Sequence, residues 1–186
     1  MEVERHDETT LDDILSWASS LLATTPKRWM NLIEALPDDL ISRPPAPNEW
    51  SALNCLEHLV EAEIAVFPIR VKALLSGTPF PAFDPDSQGT VTSTGLTPLD
   101  LVTEFARLRH ESLSLLATVI PPDLDLKGQH PELGPITLGE LVHNWLGHDL
   151  MHTVQAERAL MQPFIQGCGP WRAYYVDHIV EPKRAP

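Results

Sequence analysis

Apolar residues recur three and four positions apart over four long stretches of this chain, the spacing that aligns side chains on one face of an α-helix. The first predicted helix covers about residues 11–36, with Leu11, Ile14, Leu15, Ala18, Leu21 and Leu22 facing inward. Thr10 serves as its cap, and Asp12 and Asp13 sit in the first turn, where the helix dipole favours negative charge. Pro26 lies inside the stretch and lacks an N–H, so the helix bends there or divides. Trp17 and Trp29 read as packing residues.

The second helix opens at Ser51, a good cap, and runs to about Leu75. Its central stripe of Leu56, Leu59, Val66 and Leu74 also contains Glu63, and His58 lies on the flank beside Cys55, Ala62, Ala65 and Ile69. The third is marked by Thr97, Pro98 and Asp100: a cap, a proline at the first helical position and an acid in the first turn. Leu101, Phe105, Leu108, Ser112, Leu115 and Leu116 supply its core face, which leaves Arg107, Arg109, His110 and Glu111 on the wet side. An arginine turned inward instead would suit an anionic substrate. The fourth helix runs from Thr137 to about Leu160, opened by a capping box of Thr137 and Glu140.

Between the second and third helices, residues 76–94 are rich in Gly, Pro, Ser and Thr and too long for a turn, which predicts a lid or a crossover. The link over residues 123–135 is polar, with a short extended piece at about 133–136. Beyond Gly169 and Pro170, Trp171, Tyr174 and Tyr175 predict a short closing helix that they pack against the bundle. The sum is an all-α four-helix bundle in one domain over residues 1–186, with a long loop between helices two and three and a short C-terminal closing helix.

Charge narrows the choice of partners. Thirteen basic against 26 acidic residues leave a formal charge of −13, which argues against a nucleic-acid backbone as ligand. The 18 prolines gather mainly between helical stretches. Two cysteines make no disulfide framework, the N-terminus has no signal-peptide pattern, and no apolar run approaches the ~20 residues of a membrane span. The expectation is a soluble, cytoplasmic protein with no membrane partner.

The candidate chemistry lies on the fourth helix. At ~100° per residue, Leu141, Trp145, His148, His152, Gln155 and Ala159 share one inward stripe. Two neighbouring imidazoles facing a core need partners for their nitrogens, and a divalent metal supplies one. A catalytic site usually takes three protein ligands, so a third is sought on another helix. His58 is available, either as that ligand or as a core histidine bonded to a carbonyl or an acid. Glu63 reads as a buried carboxylate for acid–base work or as a side chain reaching solvent at the edge. Cys55 stands one turn from His58 and reads as a small buried residue, with thiolate ligation as the alternative.

The segments WSALNCLEHLVEAE, HPELGPITLGELVHNWLGHDLMHTVQAERAL and GPWRAY resemble the DinB/YfiT-like superfamily. The resemblance implies a four-helix bundle, often a homodimer, that holds nickel or zinc through one histidine of helix two and both of helix four. Carried over by position, the metal ligands are His58, His148 and His152. Glu63 and Asp149 become the candidate catalytic carboxylates, able to orient an imidazole through its free nitrogen. The implied activity is a thiol-dependent S-transfer to a small electrophile, with a low-molecular-weight thiol as co-substrate. The alternatives are a metal-dependent hydrolase and a non-catalytic, metal-stabilised stress or interaction protein.

Overall fold

All four predicted stretches are helical, the second of them divided and the fourth extended, in a computed structural model that describes residues 9–80 and 95–182. Helix α1 (Thr9–Ala35) is continuous through Pro26. A proline there deprives the carbonyl four residues earlier, that of Leu22, of its helical donor. Arg109 Nη1 donates to this carbonyl at 3.2 Å, so the break in the helical ladder is filled from another helix. Trp29 is buried as expected, but Trp17 is 60 % exposed. Twelve positions separate them, about 120° around a helix, so one core cannot hold both.

A short helix α2 (Asp38–Ile41) leads into α3 (Ala52–Ala65), which starts at Ser51 with the expected side-chain cap on the Asn54 N–H. The predicted second helix does not run straight to residue 75. It breaks at Val66 (φ −118°, ψ −80°) and restarts as α4 (Phe67–Ser76), because Pro68 has no N–H and its ring clashes with the carbonyl of Ile64. Phe67, at the break, is buried. Helix α4 stops at Gly77, whose φ of 65° is the left-handed conformation that favours glycine. Of the segment read as a lid or crossover, residues 81–94 lie outside the described residues.

Helix α5 (Pro98–Leu116) carries the expected cap at Thr97, boxed with Asp100. A 3-10 turn (Pro121–Asp125) follows, then an antiparallel hairpin of β1 (Lys127–His130) and β2 (Gly134–Thr137). Only part of the second strand was foreshadowed by the chain. Helix α6 (Leu138–Gly167) begins at the Thr137 and Glu140 capping box and continues past Leu160, through Pro163.

The closing segment is a 3-10 helix (Gly169–His178) that buries none of its side chains. The expected packing of Trp171, Tyr174 and Tyr175 is therefore corrected: all three are exposed. The segment is held by its backbone instead, since Arg158 donates to Asp177 O and Gln162 donates to His178 O.

Helices α1, α3, α5 and α6 form the bundle around two apolar clusters. One centres on Leu22, Phe67, Leu138 and Trp145, the other on Trp29, Leu56, Val102 and Phe105. Arg109 lies between them, its guanidinium over the rings of Phe105 and Trp145. No helix among the described residues is long and apolar enough to cross a membrane.

Candidate metal centre

His58 projects from α3, and His148 and His152 from successive turns of α6, so the packing of these two helices brings three imidazoles together. One nitrogen from each lies within 4.8 Å of the other two. His58 Nε2 and His148 Nε2 are 3.0 Å apart, and the His152 ring centroid is 4.5 Å from each of the other two. Three imidazole nitrogens held tetrahedrally at ~2.0–2.1 Å from an ion are themselves about 3.3 Å apart. The cluster has the donor type and spacing for a divalent metal.

Protonation favours the same conclusion. Burial, reinforced by the neighbouring His152, pushes His58 down to about 4. Burial together with His152, His58 and Arg109 pushes His148 down to about 3. Burial also lowers His152, against the pull of Gln155 and Asp149. All three rings are thus neutral at pH 7, the form that ligates a metal.

Trp50 and Phe67 wall the cluster. The Trp50 ring lies 5.0 Å from His58 and stacks on His152 at 5.6 Å, and Phe67 meets His148 edge-on at 5.2 Å. His152 is buried, while His58 and His148 are half-buried. Among the described residues, no fourth His, Cys, Asp or Glu joins the group. Cys55 packs with Trp29 and Leu56 and is not in the group, and burial pushes its thiol up to about 12.

Glu63 and Asp149 stand apart from the imidazoles in a buried charge network. Arg109 Nη2 meets Glu63 Oε1 at 2.8 Å and Asp149 Oδ1 at 2.6 Å, with all three side chains almost wholly buried. Ser112 Oγ and Trp145 Nε1 also donate to Glu63, at 2.5 and 3.2 Å, and Thr25 Oγ1 donates to Asp149 at 2.5 Å. Burial raises the Glu63 carboxyl despite Arg109 and Ser112. Neither carboxylate has a hydrogen bond to an imidazole among the described residues, so the contact expected from the sequence is replaced by one to Arg109. Arg109 itself corrects its expected wet position: it is 1 % exposed. The network ties together α1, α3, α5 and α6.

The side chain that does orient an imidazole is Gln155, whose Oε1 accepts from His152 Nδ1 at 2.9 Å. An amide oxygen only accepts, so the proton sits on Nδ1 and the Nε2 lone pair is left for a metal. Gln155 was on the inward stripe but without an assigned role. Its spacing of three from His152 was the available signal. Replacing it by leucine is expected to weaken metal binding by about 10–100-fold, whereas Gln155→Glu keeps the acceptor and most of the affinity. Competition with a chelating dye measures both, and an unchanged affinity in Gln155→Leu would remove the assignment.

Two facing helices that contribute three histidines define an all-α metal-binding bundle. The chain belongs to the DinB superfamily, whose sequence profile matches residues 21–156 and so includes all three histidines. Among solved structures it is similar to YfiT from Bacillus subtilis, described as "a probable metal-dependent hydrolase with an unusual four-helix bundle topology". The TM-score is 0.71 at 17 % identity, over 88 % of this chain and 93 % of that one. At this identity the likeness is one of fold. No curated protein matches the chain.

Proposed function

We propose that this protein is a divalent-metal-dependent enzyme that joins a low-molecular-weight thiol to a small electrophilic substrate. The observation that carries the reading is the cluster of His58, His148 and His152, which no fourth His, Cys, Asp or Glu joins among the described residues. Three protein ligands and a free position are the pattern of catalytic sites, whereas structural sites are closed. Three imidazoles suit nickel or zinc. An ion held there would act as a Lewis acid towards a thiol or a water molecule.

The surrounding residues favour the thiol. Water activation is commonly assisted by a carboxylate base beside the reacting oxygen. Glu63 and Asp149 are already engaged by Arg109, Ser112, Trp145 and Thr25. A thiol, with an ordinary pKa of about 8.5, ionises with far less help. Trp50 and Phe67 exclude water from the flanks of the cluster, and Gln155 holds His152 in its ligating tautomer. A metal-dependent hydrolase is the second reading, supported by the description of YfiT.

Elemental mass spectrometry on untagged protein is expected to find near-stoichiometric nickel or zinc. The loaded protein is then expected to accelerate conjugation of cysteine or glutathione to 1-chloro-2,4-dinitrobenzene and to lose that activity on chelation. Protein that takes up no divalent metal overturns the proposal. Metal-dependent cleavage of p-nitrophenyl acetate, with no thiol conjugation, would select the hydrolase.

A further inference from the structure

A groove of about 460 Å³, a volume in the range of small-molecule sites, runs between α3 and α5. None of the three histidines lines it, so it is separate from the metal centre. Its apolar surface comes from Leu53 and Ile64 of α3 together with Leu96 and Leu101, and Ile64 and Leu96 are left exposed. Every charged side chain in its wall is acidic: Glu57 and Glu61, one turn apart on α3, and Asp100 and Glu104, one turn apart on α5. Like charges at this spacing repel one another along a helix. Two such pairs line the same apolar groove, and no cation lines it with them among the described residues.

We propose that this groove binds an organic cation with an apolar body, a substituted ammonium that carries an alkyl or aromatic group. Negative charge is available to meet it. Glu57 Oε2 accepts from the Asn54 amide at 3.0 Å, and Asp100 Oδ2 accepts from the Thr97 hydroxyl and N–H at 2.6 and 3.2 Å. These donors are neutral, so both carboxylates keep their charge. Glu57 Oε1 and Asp100 Oδ1 accept from no described residue. Glu104 is paired with Arg107, but that one guanidinium is shared with Glu111, so negative charge is in excess there too.

The apolar walls supply the other half of the selection. A carboxylate beside apolar surface is less screened than one in open water, so it attracts a cation more strongly. A hydrated inorganic ion gains nothing from Ile64 and Leu96, a neutral apolar molecule gains nothing from the carboxylates, and an anion is repelled by them. A cation with an apolar body is matched by both parts of the wall. It also relieves the repulsion within each acidic pair. The groove needs no metal for this, so the proposal stands or falls separately from the metal-enzyme reading.

The test is calorimetry with three probes of equal chain length: octyltrimethylammonium, whose charge does not titrate, 1-octanol and octanoate. The cation is expected to bind with a stoichiometry of one and at least about 10-fold more tightly than the alcohol, the value of one well-placed charged contact, and octanoate more weakly than either. Its advantage is expected to shrink as salt is added. Glu57→Gln is expected to weaken the cation about 3-fold and leave the alcohol unchanged. Thr103→Lys, an exposed substitution that sets an ammonium in the groove wall, is expected to abolish the preference for the cation. Glu132→Gln, which removes the same charge from the β1–β2 turn, is expected to change nothing and so separates the groove from the overall charge of −13. Circular dichroism checks that each variant is folded. Equal binding of cation and alcohol, or a cation preference that survives Thr103→Lys or falls equally in Glu132→Gln, overturns the proposal. A protein that binds no probe and sediments as a dimer, made monomeric by Thr103→Lys, assigns the groove to a second copy and overturns it as well.

Discussion

Replacing His148 by alanine is expected to abolish stoichiometric metal binding while the helical circular dichroism persists. Loss of a residue that merely orients a ligand weakens a metal site by about 10–100-fold, so loss of the ligand itself is expected to exceed about 100-fold. His58→Ala is expected to match it, since His58 is the one ligand supplied by α3 and its Nε2 stands 3.0 Å from that of His148. The fold survives because neither ring holds the core together. Both are half-buried, and the Nδ1 of each has no hydrogen-bond partner among the described residues.

Stability makes the loss measurable without any substrate. A metal present at 1,000 times its dissociation constant stabilises the native state by about 4 kcal/mol. In a domain of this size that amounts to roughly 8–16 °C in melting temperature. The wild type is expected to show this rise on adding nickel or zinc, and both variants to show almost none. A His148→Ala protein that still binds one equivalent and melts like the loaded wild type would refute the three-histidine centre.

Arg109→Leu is the substitution expected to damage the fold most. It leaves the Glu63 and Asp149 carboxylates buried and without their cation, and it returns the Leu22 carbonyl to the unpaired state that Pro26 imposes. Removing one partner from a buried ion pair typically costs about 3–5 kcal/mol. The corresponding fall in melting temperature is roughly 6–20 °C for a domain of this length. Combining it with Glu63→Gln and Asp149→Asn is expected to recover part of the loss, because neutral amides in place of the acids no longer need a counter-charge. Urea unfolding of the single and triple variants measures both effects. A single variant within about 1 kcal/mol of wild type would show that the triad does not hold the bundle together.

Helix starts were legible in the chain because capping is local. Ser51, Thr97 and Thr137 each act on the residue three positions ahead, and the structure has all three caps. Prolines were harder to read. Pro68 divides a helix, whereas Pro26 and Pro163 are carried inside one. At Pro26 the difference includes a donor, Arg109, that reaches the orphaned carbonyl from another helix. Local sequence contains no information about such a donor.

The site divides in the same way. That His148 and His152 share a face follows from a spacing of four residues on a helix, and that Gln155 reaches His152 follows from a spacing of three. These contacts stay within a turn or so of helix, so the sequence by itself determined them. The tertiary structure decided which nitrogen of His58 meets His148, 90 positions away, and that Arg109 faces Asp149, 40 positions away, instead of solvent. It also decided that Glu63 and Asp149 pair with a guanidinium and, among the described residues, hydrogen-bond no imidazole. Each of these outcomes depends on the rotation and register of one packed helix against another. A buried charge turns towards whatever opposite charge that register presents, and neither helix encodes the register alone.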